Sequence, residues 1–353
     1  MFLEDLLAAI AVVINGLPQG LLSLSYGFGL LPTGLAFIAG AIGMLAFGQV
    51  APISFQAESI VMAGTLGKNR NERLNIVFFT GIIMAIVGGL GLLNITIDFI
   101  GVSILSGMMA GVGIMLAKTG IQMIKESRIA GGVSVATAIL VYFLSGNNLI
   151  YTIVVSVFLS TLVHIYLRRS AKDMSEDEKL DLSNEKIKLL KFNFSPNVIR
   201  STLALVTLQT GGNIAYANVT GSIAGEAVNV DLITLYSGIG DSVSALFGGG
   251  PVEAIISGTA AAPNPVRSGV MMMAIMAVIL LIKVLPKIAK YVPSQSIAGF
   301  LFVLGALVVF PDNALAGLAD APMVAGVTTI VTAVTDPFIG MISGLIVRFF
   351  VGL

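Results

Sequence analysis

Three kinds of side chain in this sequence can do chemistry, and each recurs in both halves of the chain. The first is the carboxylate. The stretch Gln49-Val-Ala-Pro52-Ile-Ser-Phe55-Gln-Ala-Glu58 and the stretch Phe247-Gly-Gly-Gly-Pro251-Val-Glu253-Ala-Ile-Ile-Ser257 each carry one acid shortly after a proline. At an offset of 199 residues Glu58 falls on Ser257 and Glu253 on Ser54, so each half has one acid and one serine in exchanged places. A carboxylate inside an apolar run is costly and by default functional, able to carry a proton or hold a sodium ion. Glu58, Glu253 and Asp241 are therefore the candidate ion-coupling groups. Glu253 also has a structural explanation, as an acid in the first turn of a helix. Asp241 has one too, as a bridge to a neighbouring helix.

The second kind is the amide. Asn15, Gln19, Ser23 and Tyr26 recur at steps of three or four, as do Gln209, Asn213, Tyr216 and Thr220, so each set lies on one helical face. The amides even swap order between the sets. An amide both donates and accepts, which suits a neutral solute with mixed polar edges; the plainer role is helix–helix adhesion in a membrane. The third kind is the aromatic ring, in Phe55 and Phe247, which can stack on a planar solute or simply pack. Asn15, Gln19, Phe55, Gln209, Asn213, Pro251 and Ser257 form the candidate substrate site.

These groups need unusual elements to hold them. Pro52 denies a backbone donor and forces the residue before it to extend. From Phe55 to Leu66 only a dozen helical residues fit, about half a bilayer at 1.5 Å per residue. The second stretch is closed by Pro263 and Pro265. Broken backbone at membrane depth is tolerated where it is buried in protein or lines a cavity. Paired broken segments in two halves are the sequence mark of a transporter's binding site.

The rest of the chain is membrane-like. Hydrophobic residues make up 56%, charged residues 11%, and mean hydropathy is +0.98, which excludes an ordinary soluble domain. Apolar runs fall near 6–26, 31–47, 50–66, 74–93, 96–120, 131–145 and 149–167. After a charged linker they resume near 197–222, 230–247, 251–262, 269–285, 295–310, 322–335 and 337–352. Within the linker, Leu182–Phe192 can form a short interfacial helix. Met-Phe-Leu-Glu4-Asp5 lacks the basic region of a signal peptide, so the first run is expected to stay as a span. There is no cysteine, one histidine (His164) and zero net charge. Thiolate chemistry, zinc clusters, a nucleophile–base pair and nucleic-acid binding are all disfavoured, and an enzyme with them.

The opening, from Glu4 to Gly48, resembles the first helices of the sulfate permease family. Leu208-Gln-Thr-Gly-Gly-Asn213 and the run from Phe247 to Leu307 look more like the nucleobase–cation symporters, the xanthine/uracil permeases. The chain stops at Leu353 with no regulatory domain of the kind sulfate permeases carry, which tilts the resemblance toward the nucleobase side. Both families imply an all-α integral membrane protein of fourteen transmembrane segments. These form two inverted repeats of seven, with half-helices and short strands in segments 3 and 10. The resemblance divides the chain into a first repeat at 1–167 (core 1–93, gate 94–167), a linker at 168–195 and a second repeat at 196–353 (core 196–286, gate 287–353). This sequence departs from the nucleobase pattern at Gln209, where the family places an acid, and at Asn213 and Ser257.

The function so implied is a secondary active permease for a small planar solute, a purine or pyrimidine base, moved by alternating access of core against gate. The alternative is an inorganic or carboxylate anion transporter of the sulfate-permease type. No cofactor is expected beyond a coupling H+ or Na+. The expected partners are a small-molecule substrate and the lipid bilayer, with a homodimer as the candidate assembly. Orientation divides physics from resemblance: the family implies cytoplasmic termini. Seventeen of the nineteen Lys and Arg lie on the face opposite the termini in this count, which by the positive-inside rule puts the termini outside.

Overall fold

A computed structural model describes residues 2–170, 187, 189–289 and 293–352. It is mostly helical. In the first half, α1 (Phe2–Ser25) and α2 (Leu30–Phe47) precede a two-residue strand β1 (Ile53–Ser54) and the short α3 (Ala57–Leu66). Then follow α4 (Arg70–Gly89), α5 (Leu92–Glu126), α6 (Arg128–Leu144) and α7 (Leu149–Ser170). The second half has α8 (Pro196–Ala224), α9 (Val230–Leu246), strand β2 (Glu253–Ala254) and a four-residue 3-10 turn (Gly258–Ala261). After these come α10 (Pro265–Leu281), α11 (Leu285–Ala289), α12 (Ala298–Val303), α13 (Phe310–Asp320), α14 (Pro322–Val334) and α15 (Pro337–Val351). A π-helical turn, Leu304–Val309, joins α12 to α13. Among the described residues six helices are long and apolar enough to cross a membrane, and five shorter apolar helices accompany them.

Helix starts follow local chemistry. Asn69, Ser127, Ser195, Asn229, Asn264 and Asp336 each accept a hydrogen bond from a backbone N–H in the first turn of the helix they precede. Proline opens α8, α10, α14 and α15, where its missing N–H costs nothing.

Two compact units emerge. The first comprises Met1–Leu93, Met174–Asn213 and Thr220–Val292; the second comprises Asn94–Asp173, Ile214–Val219 and Pro293–Leu353. In the first unit α2 packs on α9 and α10, α4 on α9, and α1 on α10. The α4–α9 crossing is backbone against backbone: a Cβ on Gly238 would lie 2.5 Å from the Ala85 nitrogen and 2.6 Å from the Gly81 oxygen. Such close approach of small residues is how helices adhere where lipid removes the hydrophobic drive. Residues 189–195, the described end of the linker, are not helical. Their backbone docks on this unit through Leu190 N–H to Leu246 O (2.8 Å), Asn193 N–H to Asn75 Oδ1 (2.9 Å) and two amide donors to Lys191 O. The expected linker helix is thus absent at 189–192, and most of its remaining length lies outside the described residues.

In the second unit α6 pairs with α7, α14 with α15, and α12 packs on α6. Ser134 fastens the last of these, donating to Ser296 O (2.5 Å) and accepting from Gly299 N (2.9 Å). Here α5 is interrupted at Gly101, whose φ of 70° and ψ of −178° leave the helical region. A residue with a Cβ is strained there.

Candidate substrate and ion site at the paired strands

α2 ends at Gly48, which is in the left-handed region (φ 61°, ψ 29°), and after Pro52 the chain extends for two residues as β1. In the second half Gly248 to Gly250 precede Pro251, and β2 follows. The strands pair antiparallel with Ile53 opposite Ala254 and Ser54 opposite Glu253. Ser54 and Glu253 are the residues that the 199-residue offset equates. Ile255 N–H extends the ladder to Pro52 O at 3.2 Å. From β1 the backbone enters the ten-residue α3; from β2 it reaches only the 3-10 turn. The expected second half-helix is therefore a correction. Pro263 stands where the offset places Gly64 of α3, and Ala262 before it is held extended (φ −72°, ψ 155°).

The second strand is held by a buried polar network. Asp241 on α9 accepts from Val252 N–H (2.6 Å) with one carboxylate oxygen and from Gln209 Nε2 (2.9 Å) with the other. Asn213, one turn along α8, donates to Thr234 Oγ1 (3.1 Å) and accepts from Ala254 N–H (3.3 Å). Thr220 donates to Ile255 O (2.9 Å). Gln209, Asn213, Thr220, Thr234 and Asp241 are fully buried. Of the two roles weighed for Asp241, the structure displays the bridge to α8. The two α8 amides spend their NH2 groups inside the protein.

Glu253 is buried on β2, not in the first turn of a helix, which removes the dipole explanation of its position. One carboxylate oxygen accepts from Ser59 Oγ of α3 (2.8 Å), and the other has no hydrogen-bond partner among the described residues. No described cation pairs with it. Gln209 Oε1, Ser23 Oγ and Ser237 Oγ are likewise buried and unpartnered. An isolated carboxylate out of water demands a proton or a cation.

Glu58 is the reverse. The sequence places it deep in its half-helix, but α3 begins only at Ala57, so Glu58 sits in the first turn and is exposed. No side chain caps this helix; Gln56 at the cap position makes no such bond. Asn15 and Gln19 on α1 are half-buried and have no hydrogen-bond partner among the described residues. Their stretch of α1 lies against the β1–α3 junction: a Cβ on Gly16 would meet Ser54 Oγ at 3.5 Å, and one on Gly20 the Phe55 ring at 3.1 Å. Phe55 itself is 1% exposed and packs on Phe37 at 5.2 Å between centroids. It is a core residue here, and no face is left for a stacked solute. Pro251 is buried at the entry to β2, and Ser257 is buried as the cap of the 3-10 turn, bonded to Thr259.

Ser59, Thr234 and Tyr236, whose hydroxyl donates to Ala51 O, escaped sequence reasoning. So did Asp5, fully buried against Arg267, with Asn264 N–H donating to it at 2.9 Å.

No known family's sequence model matches this chain, and no curated protein matches it. Solved structures do. The transmembrane domain of BicA, a cyanobacterial bicarbonate transporter, matches with a TM-score of 0.63 at 16% identity over 97% of both chains. SLC26A9 matches with a TM-score of 0.51 at 11% identity, over 99% of this chain and 65% of that one. Murine Slc26a9, an anion transporter captured inward-facing, matches at 0.55 and 13% over 99% and 68%. The chain shares the fold of these membrane transporters, and its long apolar helices make it a multi-pass membrane protein. The resemblance to sulfate permeases thus holds at the level of fold. The tilt toward nucleobase symporters finds no support among these neighbours.

Proposed function

We propose that this protein is a secondary transporter of a small inorganic or carboxylate anion, in the size class of bicarbonate. The observation that carries this reading is the start of α3. An uncapped helix N-terminus offers free N–H groups and a positive dipole end. Beside it stand two amides, Asn15 and Gln19, with N–H donors that no described residue uses. Most of the groups that would read a heterocycle are committed elsewhere: the NH2 groups of Gln209 and Asn213 bond to Asp241 and Thr234, Asn213 Oδ1 accepts from Ala254 N–H, and Phe55 packs in the core. The likeness to BicA over nearly the whole of both chains agrees with this choice.

The anion would enter between α1 and the start of α3, with the first compact unit acting as the carrying core and the second as the gate. Fourteen segments in two inverted repeats suit this arrangement, and the pairing of Ser54 with its offset partner Glu253 supports them. The carboxylate of Glu253 then has a purpose: a co-transported proton or sodium ion binds there, so that the cation and a monovalent anion cross together with no net charge moved.

Purified protein, screened by thermal shift with bicarbonate, sulfate, chloride, dicarboxylates and nucleobases, tests the reading. One of the anions should raise the melting temperature, and liposomes should then accumulate that anion under a sodium or proton gradient. Stabilisation by nucleobases alone would restore the rival.

A further inference from the structure

The second compact unit holds a partly open cavity of about 240 Å³ that the transport reading does not use. This is below the roughly 300–1,000 Å³ of pockets that enclose a whole drug-sized ligand, and suits a small polar group. It is lined by Ile100 to Ser103 at the break of α5, by Asp320, Ala321 and Val324 where α13 gives way to α14, and by Arg348 near the end of α15. The break creates it. Gly101 leaves the helical region, so the carbonyls that close the first part of α5 lose their helical partners. Arg348 Nη1 supplies them, donating to Phe99 O (3.0 Å) and Ile100 O (3.1 Å).

That leaves both signs of charge with capacity to spare. The Nε and Nη2 N–H groups of Arg348 have no partner among the described residues. Asp320 accepts from Ser103 Oγ with one oxygen and keeps the other. Yet the two charges, lining one cavity, form no ion pair among the described residues. Among the lining residues Val102 is 58% exposed, and the sequence neighbours Phe99, Met323 and Phe349 are exposed apolar side chains.

We propose that this cavity binds the headgroup of an ethanolamine phospholipid from the surrounding bilayer. The phosphate lies on the guanidinium of Arg348, whose planar fork suits its oxygens. The primary ammonium donates to Asp320, and the acyl chains run over these exposed apolar side chains. A choline headgroup keeps the charges but has no N–H to give Asp320. A glycerol headgroup leaves Asp320 facing net negative charge.

The test uses delipidated full-length protein in detergent, titrated with ethanolamine, choline and glycerol phospholipids of identical acyl chains and with free phosphoethanolamine. The readout is melting temperature. Ethanolamine lipid should produce the same shift at a concentration at least fivefold lower than choline lipid, and glycerol lipid should be weakest. Asp320→Asn should abolish the difference between ethanolamine and choline lipids. Val102→Trp, which obstructs the mouth at an exposed position, should remove the shift from both. Equal response of the wild type to ethanolamine and choline lipids overturns the proposal, as does an ethanolamine preference that survives in both variants. Strongest stabilisation by the glycerol lipid overturns it too. Free phosphoethanolamine acting as well as the lipid would make the ligand a soluble zwitterion and refute the lipid assignment.

Discussion

The two broken segments of the first compact unit start alike and end differently. Each follows a proline into a two-residue strand, and the strands pair with each other. Beyond that point the first continues as the ten-residue α3, uncapped and with an exposed acid in its first turn. The second stops in a 3-10 turn capped by Ser257, and its acid is buried on the strand. One proline, Pro263, accounts for the difference in length. The consequence is a difference in surroundings: the first segment leads into an uncapped helix N-terminus, while the second is anchored by α8 and α9 and holds a buried carboxylate with one unpartnered oxygen. Two similar stretches of sequence have produced different local structures.

The sharpest way to break this contrast is to remove the anchor. Asp241→Ala leaves the Val252 N–H and the Gln209 amide buried without acceptors, at a cost of about 1–3 kcal/mol for each. Most of the folded protein should be lost, visible as a collapse in monodisperse yield and melting temperature. Gln209→Ala should cost only one such increment. Because the two share a bond, the double variant should be clearly less unstable than the sum of the singles. Additive losses would mean that Asp241 and Gln209 do not act as one brace.

The next largest effect concerns coupling. Glu253→Gln preserves an oxygen for Ser59 Oγ but abolishes the charge. The variant should still exchange labelled for unlabelled anion across liposomes, while accumulation driven by a sodium or proton gradient is lost. Its melting temperature should equal or exceed that of the wild type, because a buried charge without a partner has been removed. Gradient-driven accumulation at wild-type levels would take the coupling role from Glu253.

How far all this was legible from the sequence depends on range. Proline and glycine act locally, so Pro52, Pro251 and Pro263 marked the broken segments, and the common offset equated Ser54 with Glu253 without showing that the two pair. Side-chain polarity at helical spacing located the α1 and α8 stripes. What each stripe touches was not legible. Ser59 meets Glu253 across 194 positions and Asp5 meets Arg267 across 262, and no periodicity encodes such pairings. The amides of α8 and α1 have the same composition. Only the neighbourhood of Asp241 makes one pair a brace and leaves the other free. The kink at Gly101 was hidden for a different reason: one glycine in an apolar run is compatible with an unbroken helix.

Asn15 and Gln19 sharpen the comparison at the first segment. Replacing either with alanine should weaken anion binding about tenfold, roughly 1.4 kcal/mol, because each supplies a donor to the ligand and to nothing else described. Stability should move by less than about 0.5 kcal/mol. Titrations of the anion followed by thermal shift report both quantities. A fall in stability with unchanged affinity would make these amides helix adhesives and shift the site elsewhere.

The smallest effect is expected at Glu58, although its sequence position gives it the stronger claim to coupling. Its first-turn place in α3 lets it favour the helix dipole, an effect of about 0.3–1 kcal/mol at an exposed site. Glu58 is exposed, whereas Glu253 is buried with one carboxylate oxygen unpartnered among the described residues. Glu58→Gln should therefore lower the melting temperature slightly and leave gradient-driven accumulation intact. It should tighten anion binding modestly, since a negative charge is withdrawn from the helix terminus where the anion is proposed to sit. The gain should shrink as salt is raised, because a surface charge is screened over roughly 8–10 Å at moderate ionic strength. Loss of accumulation in Glu58→Gln, with Glu253→Gln still concentrating the anion, would reverse the roles of the two segments. Unchanged affinity at both low and high salt would place the anion away from the start of α3.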